Sequence, residues 1–476
     1  MPGIVWFEVK RFSLICWIFS FGLYISFAFS AGGAKVNHLG LKADPITTYS
    51  QSVMFGDVNK VQEALRFFKS RAKQDVAAVL INTLRYRPSV SADISDALQK
   101  LTGHIATTWH DWMLWQQSHP EIKPHKSFVG IKRDGLARVD PRYRIFFREG
   151  SDQPSDLRIR VEEIVWGGPP ALTGIPSLDH PKMSTASEAS YMQDDDLVFG
   201  VEINGDVRAY PLRIMGWHEM FNDVIGGVPV ALAYCTLCGS GILFETQRKD
   251  RAKAFVFGSS GMLYRSNKLM FDWETLSLSN QFTGEPVVGP LTKTKIVLKT
   301  RPVAITTWRD WRKKHPGTLI LSLDTGFKRD YRSGVVYQDY FASPSLMFPA
   351  AARKFKSFQK KEFIFGIRAV GVAKAWPLTA FEGRRIINDR LGRQNIVLIG
   401  NAKNRTVHAY ERKNKEFETQ TSAGLQTKTG ENWQISDANL ISAQGQKLPR
   451  IAGILSYWFA WDGYMGLKSE YYQAKP

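Results

Sequence analysis

Apolar residues between Tyr49 and His119 return at helical spacing: Val61, Leu65 and Phe68, then Val76, Val79, Leu80 and Leu84, then Ile94, Leu98 and Leu101. Side chains so spaced share one helix face, which predicts a run of amphipathic helices packed on one another. Pro88 and Gly103 interrupt the rows and mark helix ends. Trp109, Trp112 and Trp115 form an aromatic stripe that reads as core. A small helical domain over residues 45–125 follows. Periodicity fades over 126–170, where Asp140-Pro141, Gln153-Pro154 and Gly167-Gly168-Pro169-Pro170 occur, so this stretch is expected to be a linker or lead-in.

Residues 171–465 have a different texture, with short β-runs at 198–203, 207–212, 228–234, 242–246 and 254–257 between Gly and Asn. One helix is predicted over 213–224 from Trp217, Met220, Phe221 and Val224. The pattern also repeats. Phe199-Gly200-Val201 and Ala209-Tyr210-Pro211-Leu212 align without gaps to Phe365-Gly366-Ile367 and Ala375-Trp376-Pro377-Leu378. The same offset pairs Asn222-Asp223 with Asn388-Asp389. The expected class is therefore α+β: a β-rich domain built by internal duplication of a strand-turn-strand-helix-strand unit, with repeat 1 at about 197–290 and repeat 2 at about 363–440.

Composition narrows the function classes. The 476 residues are 44% apolar and 12% aromatic, which excludes wholesale disorder. Three cysteines exclude a disulfide scaffold, a four-cysteine zinc ribbon and a four-cysteine iron–sulfur cluster. Lys10-Arg11 precede an uncharged run from Phe12 to Phe29, and Ala28-Phe29-Ser30 offers small residues for cleavage. Residues 1–30 thus predict a signal peptide, or an N-terminal anchor if uncleaved, and an exported protein, periplasmic or extracellular. The formal charge of +19 includes patches at Lys293, Lys295, Lys299 and Arg301, at Arg309, Arg312, Lys313 and Lys314, and at Arg353, Lys354, Lys356, Lys360 and Lys361. Solvated faces, or attraction to an anionic envelope surface, are the two readings. Nucleic acid is not expected as a partner, and no nucleotide-cofactor motif is seen.

If the leader is removed, Cys16 goes with it and Cys235-Thr236-Leu237-Cys238 is the only thiol pair. Gly239 after the second Cys excludes c-type haem attachment. Three readings stay open. Cys235, Cys238 and His218 form a copper or zinc site, since two soft sulfurs and an imidazole suit these metals. Alternatively, the thiols act in redox or nucleophilic chemistry with His218 as base. Or they form a structural disulfide, which closes too short a loop to constrain the unfolded chain much. Glu219 and Asp223 would orient His218 or serve as acid/base groups. The duplication supports a site here, because His218, Glu219, Cys235 and Cys238 face Arg384, Arg385, Asn401 and Asn404 in the second copy. Met262 and Met270 could add a thioether but read as packing. The polar run 259–267, with Asp272, lines a pocket or forms a loop.

Several motifs occur in order: Trp217-His218-Glu219-Met220-Phe221-Asn222-Asp223, Tyr234-Cys235-Thr236-Leu237-Cys238-Gly239-Ser240, Ser260-Gly261-Met262-Leu263-Tyr264 and Gly284-Glu285-Pro286-Val287-Val288-Gly289-Pro290-Leu291. Asp324-Thr325-Gly326-Phe327-Lys328-Arg329-Asp330-Tyr331 and Tyr457-Trp458-Phe459-Ala460-Trp461 follow. Over about residues 160–465 the chain resembles the bacterial family called domain of unknown function 3179. The resemblance implies the domain and the prominence of the His-Glu and C-x-x-C motifs, and it supplies no reaction. The family pattern often has Pro at Thr236, and Glu and Trp at Leu276 and Ser279, so the site here is altered if those positions line it.

Overall fold

The apolar rows in the first part of the chain fold as amphipathic spacing demands, into helices Pro45–Phe55, Val58–Arg71, Ala77–Leu84, Ser91–Thr102 and Trp109–Ser118. The structure is a computed structural model describing residues 44–473 except 149–155, 352–358, 384–385 and 422–423. The leader or anchor expected over 1–30, Arg384 and Arg385, and the patch residues Arg353, Lys354 and Lys356 lie outside the described residues. The Asp57 carboxylate caps the second helix by accepting from the Lys60 N–H at 2.9 Å. Gly103, at φ 72°, ends the fourth. Among the described residues no helix is long and apolar enough to cross a membrane.

The stretch 126–170 holds more structure than its sequence suggests. Helix Phe128–Val139 buries Phe128, Ile131 and Leu136. Its Gly130 and Gly135 blur the apolar spacing, yet a Cβ at Gly135 would stand 2.7 Å from the Met54 methyl. Here glycine permits helix contact rather than a loop.

The remainder is β-rich, so the chain as described is a mixed α+β protein. Two sets of elements run in the same order. In the first, strands Leu197–Ile203 and Asp206–Pro211, helix Leu212–His218, and strands Met220–Ile225, Val228–Cys235 and Ser240–Glu245 follow one another. In the second, strands Phe363–Ala369 and Val372–Pro377, a 3₁₀ turn Leu378–Phe381, and strands Ile386–Leu391, Gln394–Asn401 and Thr406–Glu411 do the same. Both opening hairpins pair the aromatic of one strand with that of the other: Phe199 with Tyr210, and Phe365 with Trp376. Each set also borrows a later strand–helix element. Strand Ala304–Thr307 joins the first hairpin and leads into helix Trp308–Lys314. Strand Ile454–Tyr457 joins the second and leads into helix Trp458–Met465. A Cβ on Gly200 would lie 2.3 Å from the Trp311 ring, and one on Gly366 2.2 Å from the Trp461 ring. Glycine is needed at both places because an indole lies flat on the strand.

The helix expected over 213–224 stops at His218, and Met220–Ile225 is a strand. Helical and alternating apolar spacing cannot be told apart over so few residues. Asn222 and Asp223 are therefore strand residues, and each has a twin. Asn222 bonds the Phe257 backbone in both directions, 2.8 and 2.9 Å, as Asn388 does that of Phe417, 2.7 and 3.0 Å. Asp223 accepts from Tyr210 and Arg208, and Asp389 accepts from Trp376 and Lys374. One apolar core joins Val61, Phe68 and Trp112 of the helices to Ala233, Cys235, Cys238 and Trp461 of the sheets.

Candidate functional site

Strand Val228–Cys235 ends in a 3₁₀ turn, Thr236–Cys238, and returns as strand Ser240–Glu245, with Cys235 opposite Ser240. The C-x-x-C motif is thus a hairpin turn. Gly239 reverses the chain at φ 61°, where a Cβ would also stand 2.9 Å from the Phe363 ring. Cys235 and Cys238 form a disulfide with Cα atoms 5.2 Å apart, within the usual range. Their exposures are 2% and 0%. The Cys238 sulfur lies 3.2 Å from the Ser266 carbonyl oxygen.

Glu219 closes helix Leu212–His218 in the left-handed conformation, φ 55° and ψ −11°. That conformation costs a residue with a Cβ about 1–2 kcal/mol, and the surroundings hold it there. Its N–H donates to the Met215 carbonyl, and its own carbonyl accepts from the Tyr234 N–H at 2.8 Å and the Lys268 ammonium at 3.0 Å. The carboxylate pairs with Lys268 at 3.1 Å and accepts from the Ser259 hydroxyl at 3.3 Å and the Thr236 hydroxyl at 3.2 Å. Thr236 sits inside the C-x-x-C turn, so the ion pair and the disulfide share a wall. Burial pushes the Lys268 ammonium below its ordinary pKa, and Glu219 pulls it back.

His218 lies apart from this cluster. Its Nδ1 is 2.9 Å from the Pro176 carbonyl, which can only accept, so Nδ1 carries the proton. Nε2 then accepts from the Tyr331 hydroxyl at 2.6 Å. Both ring nitrogens are spent, and neither faces sulfur. Asp223 is held by Arg208 and Tyr210 in the arrangement its twin Asp389 repeats. Of the five residues nominated by sequence, the structure brings together Cys235, Cys238 and Glu219, and sets His218 and Asp223 elsewhere. Met262 and Met270 are buried in the packing.

Burial lowers the His218 pKa. A histidine kept neutral in the fold contributes stability that is complete above its unfolded pKa and lost as pH falls below it. Urea midpoints for the native chain should therefore fall between about pH 7.5 and pH 5.5, astride the ordinary histidine value. His218→Gln, which keeps a donor and an acceptor, should show a smaller fall, and an equal fall would contradict this assignment.

Lys268 and Tyr337 were not legible as site members, whereas Ser259 opens the polar run whose pocket-lining reading the sequence left open. The polar run 259–267 forms parts of two buried strands, Phe257–Tyr264 and Asn267–Asp272, joined at Arg265 and Ser266, whose φ values are 49° and 62°. The available signal was a lysine standing directly before Leu269-Met270-Phe271, since a charge in a buried strand implies a partner. Residues 325–350 pass over the cluster. Tyr331 bonds His218, Tyr337 faces Thr236, the Tyr340 hydroxyl donates to the Leu237 carbonyl at 2.8 Å, and the Phe348 carbonyl accepts from Ser266. Of the basic patches, Lys299 and Arg301 pair with Glu245, and Arg309 and Arg312 with Asp194.

A protein-family profile described as a protein of unknown function (DUF3179) matches residues 173–467. No curated protein and no solved structure matches the chain.

Proposed function

The chain belongs to this family of proteins of unknown function, and from that starting point we propose that it is a thiol–disulfide redox protein. Cys235 and Cys238 are the reducible couple, and the buried Glu219–Lys268 pair handles the protons. The observation that carries this reading is the Thr236 hydroxyl, inside the C-x-x-C turn, donating to the Glu219 carboxylate at 3.2 Å.

The partner is an external dithiol. One of its thiolates attacks a protein sulfur, the S–S bond breaks, and the displaced cysteine leaves as a thiolate. The second partner thiol resolves the mixed disulfide. The protein gains two electrons and two protons, and the partner becomes a disulfide. Glu219, linked to the turn through Thr236, is placed to relay protons to the departing thiolate, with Lys268 fixing its orientation.

Two further expectations belong to this reading. The two sets of strands are an internal duplication, with the chemistry kept in the first copy, where the second has Asn401 and Asn404. Export through the segment 1–30 would place the couple where disulfides persist. Copper or zinc on Cys235, Cys238 and His218 has less support, because His218 has no free nitrogen.

The test uses the full chain in dithiothreitol buffers, with alkylation and a mass count of thiols under native conditions. Two thiols are expected to appear while the near-UV circular dichroism stays native, and to disappear on reoxidation. Glu219→Gln should slow reduction by about a hundredfold, within the range for loss of a positioned acid–base group. Thiols that appear only after denaturation would show a structural disulfide and overturn the proposal.

A further inference from the structure

A second cluster lies away from the cysteines, where three separate elements meet. Glu202 is on strand Leu197–Ile203, and His315 caps the C-terminus of helix Trp308–Lys314. Asp437 lies between strands Asn432–Ile435 and Asn439–Ser442. One ligand atom from each lies within 4.8 Å of the other two. We propose that Glu202, His315 and Asp437 bind a divalent transition-metal ion that fastens the first strand set to the sheet of the second.

The imidazole carries the argument. His315 Nε2 stands 2.9 Å from Asp437 Oδ2, yet both atoms are buried and neither makes a hydrogen bond. The nitrogen's in-plane direction is thus not spent on the carboxylate beside it. Two ligands each about 2.1 Å from one ion stand about 3.0 Å apart at right angles and about 3.4 Å apart at the tetrahedral angle, so the pair at 2.9 Å is close to the spacing an ion needs. The ring is held for this by packing on Trp311, with centroids 4.3 Å apart.

The carboxylates agree. Asp437, 7% exposed, has its Oδ1 committed to Lys314 at 2.8 Å and Arg450 at 3.5 Å, which leaves Oδ2 turned to His315. Glu202 brings a second carboxylate oxygen within 4.8 Å of both His315 and Asp437. His408, its Nε2 buried without a partner, faces the same Asp437, Lys314 and Arg450 charges. Beside the cluster opens a cleft of about 140 Å³ lined by Glu202, Asp437, Arg301, Arg450 and Trp311, which gives an ion access.

The donor set defines the ion class. Two carboxylates beside two cations are too little negative charge for calcium or magnesium held by oxygen alone. An imidazole with carboxylates suits zinc, iron, nickel or manganese.

The test takes the full chain stripped with EDTA and titrated with Zn(II) and with Mn(II), with bound metal counted by elemental analysis and affinity read by calorimetry. One equivalent should bind. His315→Ala and the milder Glu202→Gln should each weaken binding about tenfold or more, as loss of metal-site contacts typically does. The Cys235→Ser/Cys238→Ser variant should bind as the native chain does. Glu202 is exposed, so its variant keeps the test valid if His315→Ala fails to fold. No stoichiometric binding, binding untouched by Glu202→Gln, or binding lost only with the cysteines would each overturn the proposal.

Discussion

Lys268→Met is expected to lower the unfolding free energy by about 3–5 kcal/mol, the cost of leaving one member of a buried ion pair without its partner. The Lys268 and Glu219 side chains are only 3% and 10% exposed, so water cannot replace the missing charge. The ammonium also bonds the Glu219 carbonyl, which helps hold that residue in its left-handed turn. Methionine fills the lysine's volume, so little of the loss comes from a cavity. The double variant Glu219→Gln/Lys268→Met should recover most of the loss, because it removes both charges. Urea unfolding of the two variants measures this. A single variant within about 1 kcal/mol of the native chain would mean the pair is far better hydrated than its burial implies.

Trp461→Ala is expected to cost about 3–5 kcal/mol, the range for truncating a large aromatic in a core. The ring is 0% exposed, lies against Gly366, and donates from Nε1 to the Ser469 hydroxyl at 2.8 Å. Gly366→Ala should cost about 1–3 kcal/mol by overpacking, since the new methyl has no room beside the indole. The two changes should not add. With the indole gone the methyl has space, so the double variant should be less impaired than the sum of the singles. Trp311 and Gly200 should behave likewise, with Trp311 donating to Thr318 at 3.0 Å. Simple additivity in chemical denaturation of either set would show that the glycine and the indole do not act as a unit.

Elements with one strong period were legible in the sequence. The rows around Val61, Val79 and Ile94 became the helices they predict, and the runs at 198–203, 207–212, 228–234 and 242–246 became strands within two residues, whereas 254–257 only leads into strand Phe257–Tyr264. Helix Leu212–His218 was overextended because Met220, Phe221 and Val224 fit both helical and alternating patterns. At the site, the shared Asn-Asp pair marked a structural device, and the unmatched Glu219, Cys235 and Cys238 marked a cluster. Adjacency of His218 to Glu219 in the chain does not imply a shared side-chain direction. Glu219 turns into a left-handed conformation and sends its carboxylate toward Thr236, while His218 faces Pro176 and Tyr331. Lys268 was missed because its partner lies 49 positions away, a distance that no local pattern encodes.

The disulfide joins residues only three positions apart at the tip of a hairpin. By a closed thermodynamic cycle, what the S–S bond adds to folding equals what folding adds to the S–S bond. A ring this small removes little freedom from the unfolded chain, so the first quantity is small, and the second must be small as well. Oxidation and folding are therefore nearly independent equilibria. The couple can change state without drawing on the stability of the whole chain, and its electron affinity stays close to that of the same four-residue ring in the unfolded chain.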